Sequence, residues 1–240
     1  MRKMKRIQVE FLRDNVPKNS GAIVCGSGGC DSSTVTALCV EALNPNRVIA
    51  LHMVTERTPH EETKLFELLM HELNIESYII NIGKGVKNAI NMIPASKKIT
   101  EKNPKYMEVA PSADLRYREL IAFDMARKKG YRYIGCVDRN ELLTGRIGKY
   151  TCCGDITPLA NNYRMQVKGL AYMIGIPYEI INLNPENDPD CPRFYSLFSK
   201  DEVATDVYLI LMKDYGLPDY DIIHLGKKYN VAFPKKNSEK

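Results

Sequence analysis

One stretch constrains the fold more than any other: Ile23-Val24-Cys25-Gly26-Ser27-Gly28-Gly29-Cys30-Asp31-Ser32-Ser33. An apolar run ends in a glycine-rich turn. Ser32-Ser33-Thr34 then opens a segment whose Val35, Leu38, Cys39, Ala42 and Leu43 recur near one helical face. The pattern predicts strand, tight turn, helix. Glycines let backbone approach an anion closely, and the unpaired N–H groups and dipole of a helix start direct positive charge at it. The stretch therefore reads as a phosphate cradle. It is neither of two familiar types. No lysine follows the glycines as a P-loop requires, and Asp31 stands where the dinucleotide fingerprint needs its third glycine.

The remaining chain supplies a frame for that cradle. Residues 1–17 carry Met4, Ile7, Val9, Phe11 and Leu12 at amphipathic spacing and predict a short helix ending at Pro17. Arg47–Met53 predicts a second, buried strand, whose carboxyl end is where open α/β sheets hold ligands; this makes Met53 a candidate ligand-side residue. Thr58-Pro59 reads as the cap and first turn of a helix carrying Leu65, Leu68, Leu69 and Leu73. Tyr78–Ile82 predicts a third strand, which completes βαβαβ and requires parallel pairing with right-handed crossovers. A short helix over Val86–Ile93 follows, then residues 95–111, read as a connection or lid. A helix over Ala113–Lys129 leads to a fourth strand over Tyr131–Val137. Asp138-Arg139-Asn140-Glu141 stands at that strand's carboxyl end, and helices are predicted over Tyr163–Ile174 and Val203–Met212. The expected class is α/β: a doubly wound, mostly parallel sheet with helices on both faces. One domain over 1–240 is expected, with its core at about 20–184 and a C-terminal helical segment and tail over 185–240.

Composition narrows the function classes. A net charge of +5 lies partly in Met1–Arg6 and Pro234–Lys240, read as solvated tails, so charge alone does not predict nucleic-acid binding. No segment has the length and apolarity of a membrane span, and no apolar region follows the basic N-terminus as in a signal peptide. Seven cysteines without such a leader predict free thiols in a reducing compartment, the cytoplasm by default. His52, His60, His71 and His224 pair with no nucleophile in sequence, which disfavours a histidine-dependent hydrolase.

Ser27-Gly28-Gly29-Cys30-Asp31-Ser32-Ser33 resembles the SGGxDS pyrophosphate loop of the N-type ATP pyrophosphatases. Beyond it, Asp138–Gly145, Lys149-Tyr150, Asp155-Ile156-Thr157-Pro158-Leu159, Tyr163–Val167, Leu170-Ala171 and Gly175-Ile176-Pro177 with Ile180-Ile181-Asn182 follow in order. With the Arg116 and Arg118 pair, these segments are similar to those of the ammonia-dependent NAD synthetase family, over about Ser20 to Asn184. The resemblance implies an adenine-nucleotide α-hydrolase-like, Rossmann-like fold. It also implies a ligase that adenylates the carboxylate of deamido-NAD with ATP and amidates it with ammonia. Ser27 and the backbone from Gly28 and Gly29 through Cys30, Asp31, Ser32 and Ser33 would hold the pyrophosphate. Met53, Arg116, Arg139 and Lys149 would line the ATP site, and Asp31 and Glu141 would hold Mg²⁺. Asp31 and Lys149 would be the catalytic pair, and Asp138, Asp155 and Arg164 would border the acceptor. A homodimer is implied, as is ammonia that is free or delivered by a separate partner.

This chain departs from the family pattern within the site. Asp138 replaces an asparagine, Gly148 a threonine, Thr151-Cys152-Cys153 a glycine-aspartate-glycine, and Arg164-Met165 a lysine-threonine pair. The family's serine-alanine-aspartate-leucine loop gives way to Asn187–Arg193. Two alternatives stay open. Cys152, Cys153 and Cys191 could serve sulfur insertion in a related ATP pyrophosphatase. Alternatively, the chain could be a nucleotide-binding relative with weakened turnover. Cys25, Cys30 and Cys39 read as packing residues.

Overall fold

The computed structural model describes residues 1–92, 110–144, 154–183 and 202–229. In chain order the elements are α1 (Arg2–Asn15), β1 (Ala22–Cys25), α2 (Cys30–Leu43), a 3₁₀ turn (Pro45–Arg47), β2 (Val48–Val54), α3 (His60–Leu73), β3 (Glu76–Asn81) and α4 (Gly83–Asn91). They continue with α5 (Ala110–Lys129), β4 (Arg132–Ile134), α6 (Arg139–Thr144), α7 (Arg164–Ile174), α8 (Tyr178–Ile181), α9 (Glu202–Lys213) and α10 (Asp219–Tyr229).

The strands pair in parallel in the order β3-β2-β1-β4. Winding runs outward from β1 through β2 to β3, then returns by α4 and α5 to place β4 on the other side of β1. The strand order therefore reverses at β1, and the crevice at its carboxyl end is the point where doubly wound sheets bind ligands. The glycine-rich turn after β1 lies there. The expected α/β architecture is the observed one.

Side-chain alternation divides the core. Ala22 and Val24 of β1, with Val48 and Ala50 of β2, join Leu12, Val35, Leu38, Phe66, Leu170 and Ile180 on one face. Ile23, Ile49, Leu51 and Met53 point to the other face, against Ala122, Ala126 and Tyr133. Each fully buried aliphatic or aromatic side chain here contributes roughly 1.5–3 kcal/mol. Edge strand β3 is largely exposed, which agrees with its polar Glu76, Ser77 and Asn81.

Several local expectations change. Thr58 does not cap α3: its Oγ1 accepts the Thr55 amide at 3.0 Å, closing the preceding turn, and the helix begins at His60 after Pro59. The basic N-terminus is no tail, because α1 starts at Arg2 and Lys5 pairs with Glu41 at 2.8 Å. Strand β4 is only Arg132–Ile134. The chain then re-enters beside it, where Gly154 (φ +78°) passes so close that a Cβ would meet the Gly135 amide at 2.6 Å, and Ile156 bridges Ile134 in parallel. The described part of the C-terminal segment holds two helices, α9 and α10. Tyr208, Leu209 and Ile222 form a small core with Tyr163 that joins α9 and α10 to the start of α7. No helix of the described residues is long and apolar enough to cross a membrane. The connection at 95–111 lies outside the described residues up to position 109, and the C-terminal Pro234–Lys240 lies wholly outside them.

Candidate active site

The turn after β1 is closed by its own serines. Ser32 Oγ accepts the Ser27 amide at 3.1 Å and reaches the Gly29 carbonyl at 3.3 Å, while Ser27 Oγ accepts the Gly29 amide at 3.2 Å. Gly28 adopts φ +81°, and a Cβ there would stand 2.3 Å from the Glu62 carbonyl oxygen, so the turn is pressed against the backbone of α3. Helix α2 then starts at Cys30 with Gly29 as its cap and no side-chain cap bond. Its first-turn amides have no partner within the helix, and its dipole is positive at that end. Such a turn can cradle an anion with backbone alone, and its Ser32 and Ser33 are buried.

His52 supports the cradle from below. Nδ1 donates to the Gly26 carbonyl at 2.7 Å, which leaves Nε2 to accept from Thr63 Oγ1 at 2.9 Å. The ring stacks on Phe66 with centroids 4.8 Å apart and is 2% exposed. Burial, helped by the Arg118 charge, lowers its pKa despite the Gly26 bond. Arg118 also acts on Cys25 electrostatically, and its Nε is buried without a hydrogen-bond partner among the described residues. Of the Arg-x-Arg pair, Arg118 is therefore the member beside the carboxyl ends of β1 and β2, and Arg116 is exposed. Met53 lies buried in the core on the α5 side of the sheet.

Beside the cradle is a cluster of charge. Arg164, the first residue of α7, pairs with Asp31 through Nη1 and lies 3.5 Å from Asp138 Oδ2. Its Nε faces Glu202 at 3.6 Å, and Glu202 also holds Lys168. Asp138 caps α6 with reciprocal bonds: Asp138 Oδ1 accepts the Glu141 amide at 2.8 Å, and Glu141 Oε2 accepts the Asp138 amide at 3.2 Å. Asp138 is 1% exposed, and burial, with the Asp31 and Glu141 carboxylates nearby, pushes its carboxyl up to about 7 against the pull of Arg164. Asp31, the Asp138–Glu141 pair and Arg164, distant from one another in sequence, thus share one site. Asp31 Oδ1 is buried with no hydrogen-bond partner among the described residues. A magnesium ion suits that atom and Glu141, because Mg²⁺ commonly takes one or two carboxylates and fills its remaining positions with phosphate oxygens and water. Among the described residues no group of three or more His, Cys, Asp or Glu is arranged to hold a metal by itself.

Arg139 and Asp155 lie in other contacts. Arg139 pairs with Asp214 at 2.5 Å and sits over the Tyr163 ring, whose hydroxyl donates to the same carboxylate at 2.8 Å. Asp155 is exposed beside β4, and its Oδ2 accepts the Tyr133 amide at 3.0 Å. Lys149, Cys152, Cys153 and Cys191 lie outside the described residues. Cys25, Cys30, Cys39 and Cys136 are free thiols, and burial pushes Cys25 and Cys30 up to about 12. They behave as packing residues. Sequence reasoning missed Asn140, Asp206 and the support from His52. Only the polar character of Asn140 within Asp138–Glu141 hinted at them.

Comparison with known proteins agrees with this geometry. The sequence model of the NAD synthase family matches residues 4–190. The chain is 34% identical over 191 residues to the NH₃-dependent NAD⁺ synthetase of Aeropyrum pernix, covering 78% of this chain and 63% of that relative. It therefore spans less than two thirds of that relative's length. Among solved structures, the NMN synthetase of Francisella tularensis superposes with a TM-score of 0.74 at 20% identity, covering 95% of this chain and 92% of that one. The NH₃-dependent NAD synthetase of Campylobacter jejuni superposes at 0.70 and 22% identity, covering 95% and 91%. These likenesses below 25% identity show the fold. A serine-glycine cradle at the switch point, a carboxylate-rich site beside it and a family match across most of the chain converge: this chain belongs to the NAD synthase family.

Proposed function

We propose that the chain is an ammonia-dependent ligase that adenylates the nicotinate carboxylate of deamido-NAD with ATP and amidates it to NAD, releasing AMP and pyrophosphate. The observation that carries this reading is the backbone cradle Ser27–Ser33, whose Asp31 meets Arg164 beside Asp138 and Glu141. Adenylyl transfer requires a leaving pyrophosphate to be held and its charge balanced, with little covalent help from the protein. The α2 amides and Ser27 bind that pyrophosphate, and Arg164 supplies a fixed positive charge next to it. Asp31 and Glu141 are the residues that would hold Mg²⁺, which neutralises phosphate charge when bound. Lys149, outside the described residues, adds a second cation by family resemblance. A homodimer and a cytoplasmic setting belong to the same reading, the latter supported by the free thiols.

The test is pyrophosphate release from Mg·ATP and ammonia with deamido-NAD, without acceptor, and with the deamido mononucleotide, the last because one neighbour in fold is named an NMN synthetase. Release that depends on deamido-NAD, yields NAD and falls by about 10²-fold or more in Asp31→Ala supports the proposal. Release only with the mononucleotide, or with neither acceptor, overturns it.

A further inference from the structure

Helix α9 lies past residue 190, where the family match ends, yet it reaches the site. Asp206 and Asn140 are each 5% exposed and are joined by a bond of 2.6 Å from Asn140 Nδ2 to Asp206 Oδ1. The other oxygen of Asp206 accepts the Met165 amide at 2.8 Å, and Asn140 Oδ1 accepts the Arg164 amide at 3.2 Å. Two side chains thus satisfy the first two amides of α7, each from a different helix. Buried polar pairs of this kind are costly to leave half-made, so they fix geometry.

That geometry matters because of what the two helix starts carry. The first turn of α6 holds Asp138 and Glu141, locked by their reciprocal caps. The first residue of α7 is Arg164, which pairs with Asp31 of the cradle and with Asp138. The distance between the two turns decides whether the guanidinium reaches both carboxylates. Among the described residues the hydrogen bonds of Asp206 go to Asn140 and to the Met165 amide, while Arg164 acts on it only through its charge.

We propose that Asp206 is a positioning residue: through Asn140 and the α7 amides it sets α6 against α7, so that Arg164 meets Asp31 and Asp138. The chemistry of the site thereby depends on a helix outside the matched family segment. The inference rests on the adenylating function proposed above, and its test separates the two.

Asp206→Asn offers one acceptor oxygen to two donors, the Asn140 amide and the Met165 N–H. Asn140→Asp sets two carboxylates face to face. The double exchange Asn140→Asp/Asp206→Asn restores all three bonds: the carboxylate at 140 accepts from the amide at 206 and from Arg164 N–H, and the carbonyl at 206 accepts from Met165 N–H. The full chain and these variants are assayed below their unfolding midpoints. The expected result is a fall in kcat of tenfold or more in each single variant, a KM for ATP within twofold, and recovery to within threefold in the double exchange. In parallel, the Arg164 Nε–H signal in ¹⁵N NMR, assigned by its loss in Arg164→Lys, shifts in Asp206→Asn and returns in the double exchange. An unmoved signal in Asp206→Asn, or a kcat kept within twofold while stability falls, overturns the inference. If the wild-type chain releases no pyrophosphate with any acceptor, the functional proposal fails, and the NMR result alone decides the role of Asp206.

Discussion

Substituting alanine at the two glycines of the cradle separates backbone geometry from mere smallness. Gly28 has φ +81°, and a Cβ there would lie 2.3 Å from the Glu62 carbonyl oxygen, 3.0 Å from its carbonyl carbon and 3.1 Å from its Cα. All three atoms are backbone of α3, so no rotamer change relieves the contact. The left-handed conformation costs an alanine about 1–2 kcal/mol, and moving helix or loop apart by most of an ångström costs about 1–3 kcal/mol more. Gly28→Ala should therefore destabilise the fold by about 3 kcal/mol, or lower the thermal midpoint by about 6–12 °C for a chain of this size. Gly29 has φ −89° and ψ 171°, and its nearest obstacle is Ser27 Oγ at 3.3 Å. Gly29→Ala should cost at most about 1 kcal/mol, the penalty for alanine at a helix cap. Urea denaturation followed by circular dichroism, with unchanged m, measures both. ATP titration by calorimetry should show Gly28→Ala losing at least tenfold in affinity. Equal stability of the two variants within about 0.5 kcal/mol would refute the account of the cradle as a strained turn pressed on α3.

Arg164→Gln leaves Asp31 and Asp138 without their guanidinium partner and should destabilise by about 3 kcal/mol, with Asp138→Asn recovering part of it in a double-mutant cycle. His52 has a lowered pKa in the fold, so its contribution to stability is complete above about pH 6.5 and is lost as pH falls through its folded value. The urea midpoint of the wild type should accordingly drop faster below pH 6.5 than that of His52→Gln; parallel curves would show that burial of the ring does not matter. Cys25, Cys30, Cys39 and Cys136 should resist iodoacetamide in the native protein at pH 8 and react fully in denaturant, as read by peptide mass. Rapid native labelling of Cys30 would mean that the start of α2 opens.

The cradle was legible because its signal is local: an apolar strand, glycines at the turn and a helical period lie within Ile23–Leu43. The helices α1, α3, α5, α7 and α9 were legible for the same reason. Thr58 was misread because a threonine before a proline caps a turn as readily as a helix, and only the position of Thr55 decides between them. The expected strand over Tyr131–Val137 is shorter: past Ile134 the Gly135 amide bonds to the Ile156 carbonyl of the re-entrant chain, and Asp138 caps α6. Arg139 carried a phosphate-binding expectation by resemblance; its pairing with Asp214 joins residues 75 apart, beyond any sequence pattern.

By itself, the sequence determined what is set by neighbouring residues: the alternation of strand and helix, the backbone cradle, and the presence of Asp31 and Glu141 in motifs of recognisable spacing. The tertiary structure alone decided which of these meet. Arg164 reaches Asp31 across 133 residues, and Asp206 reaches Asn140 across 66. Periodicity and capping report interactions within a few residues of chain. Contacts at long separation exist only after sheet and helices have buried their apolar faces and so met the entropy of closing the loops between them.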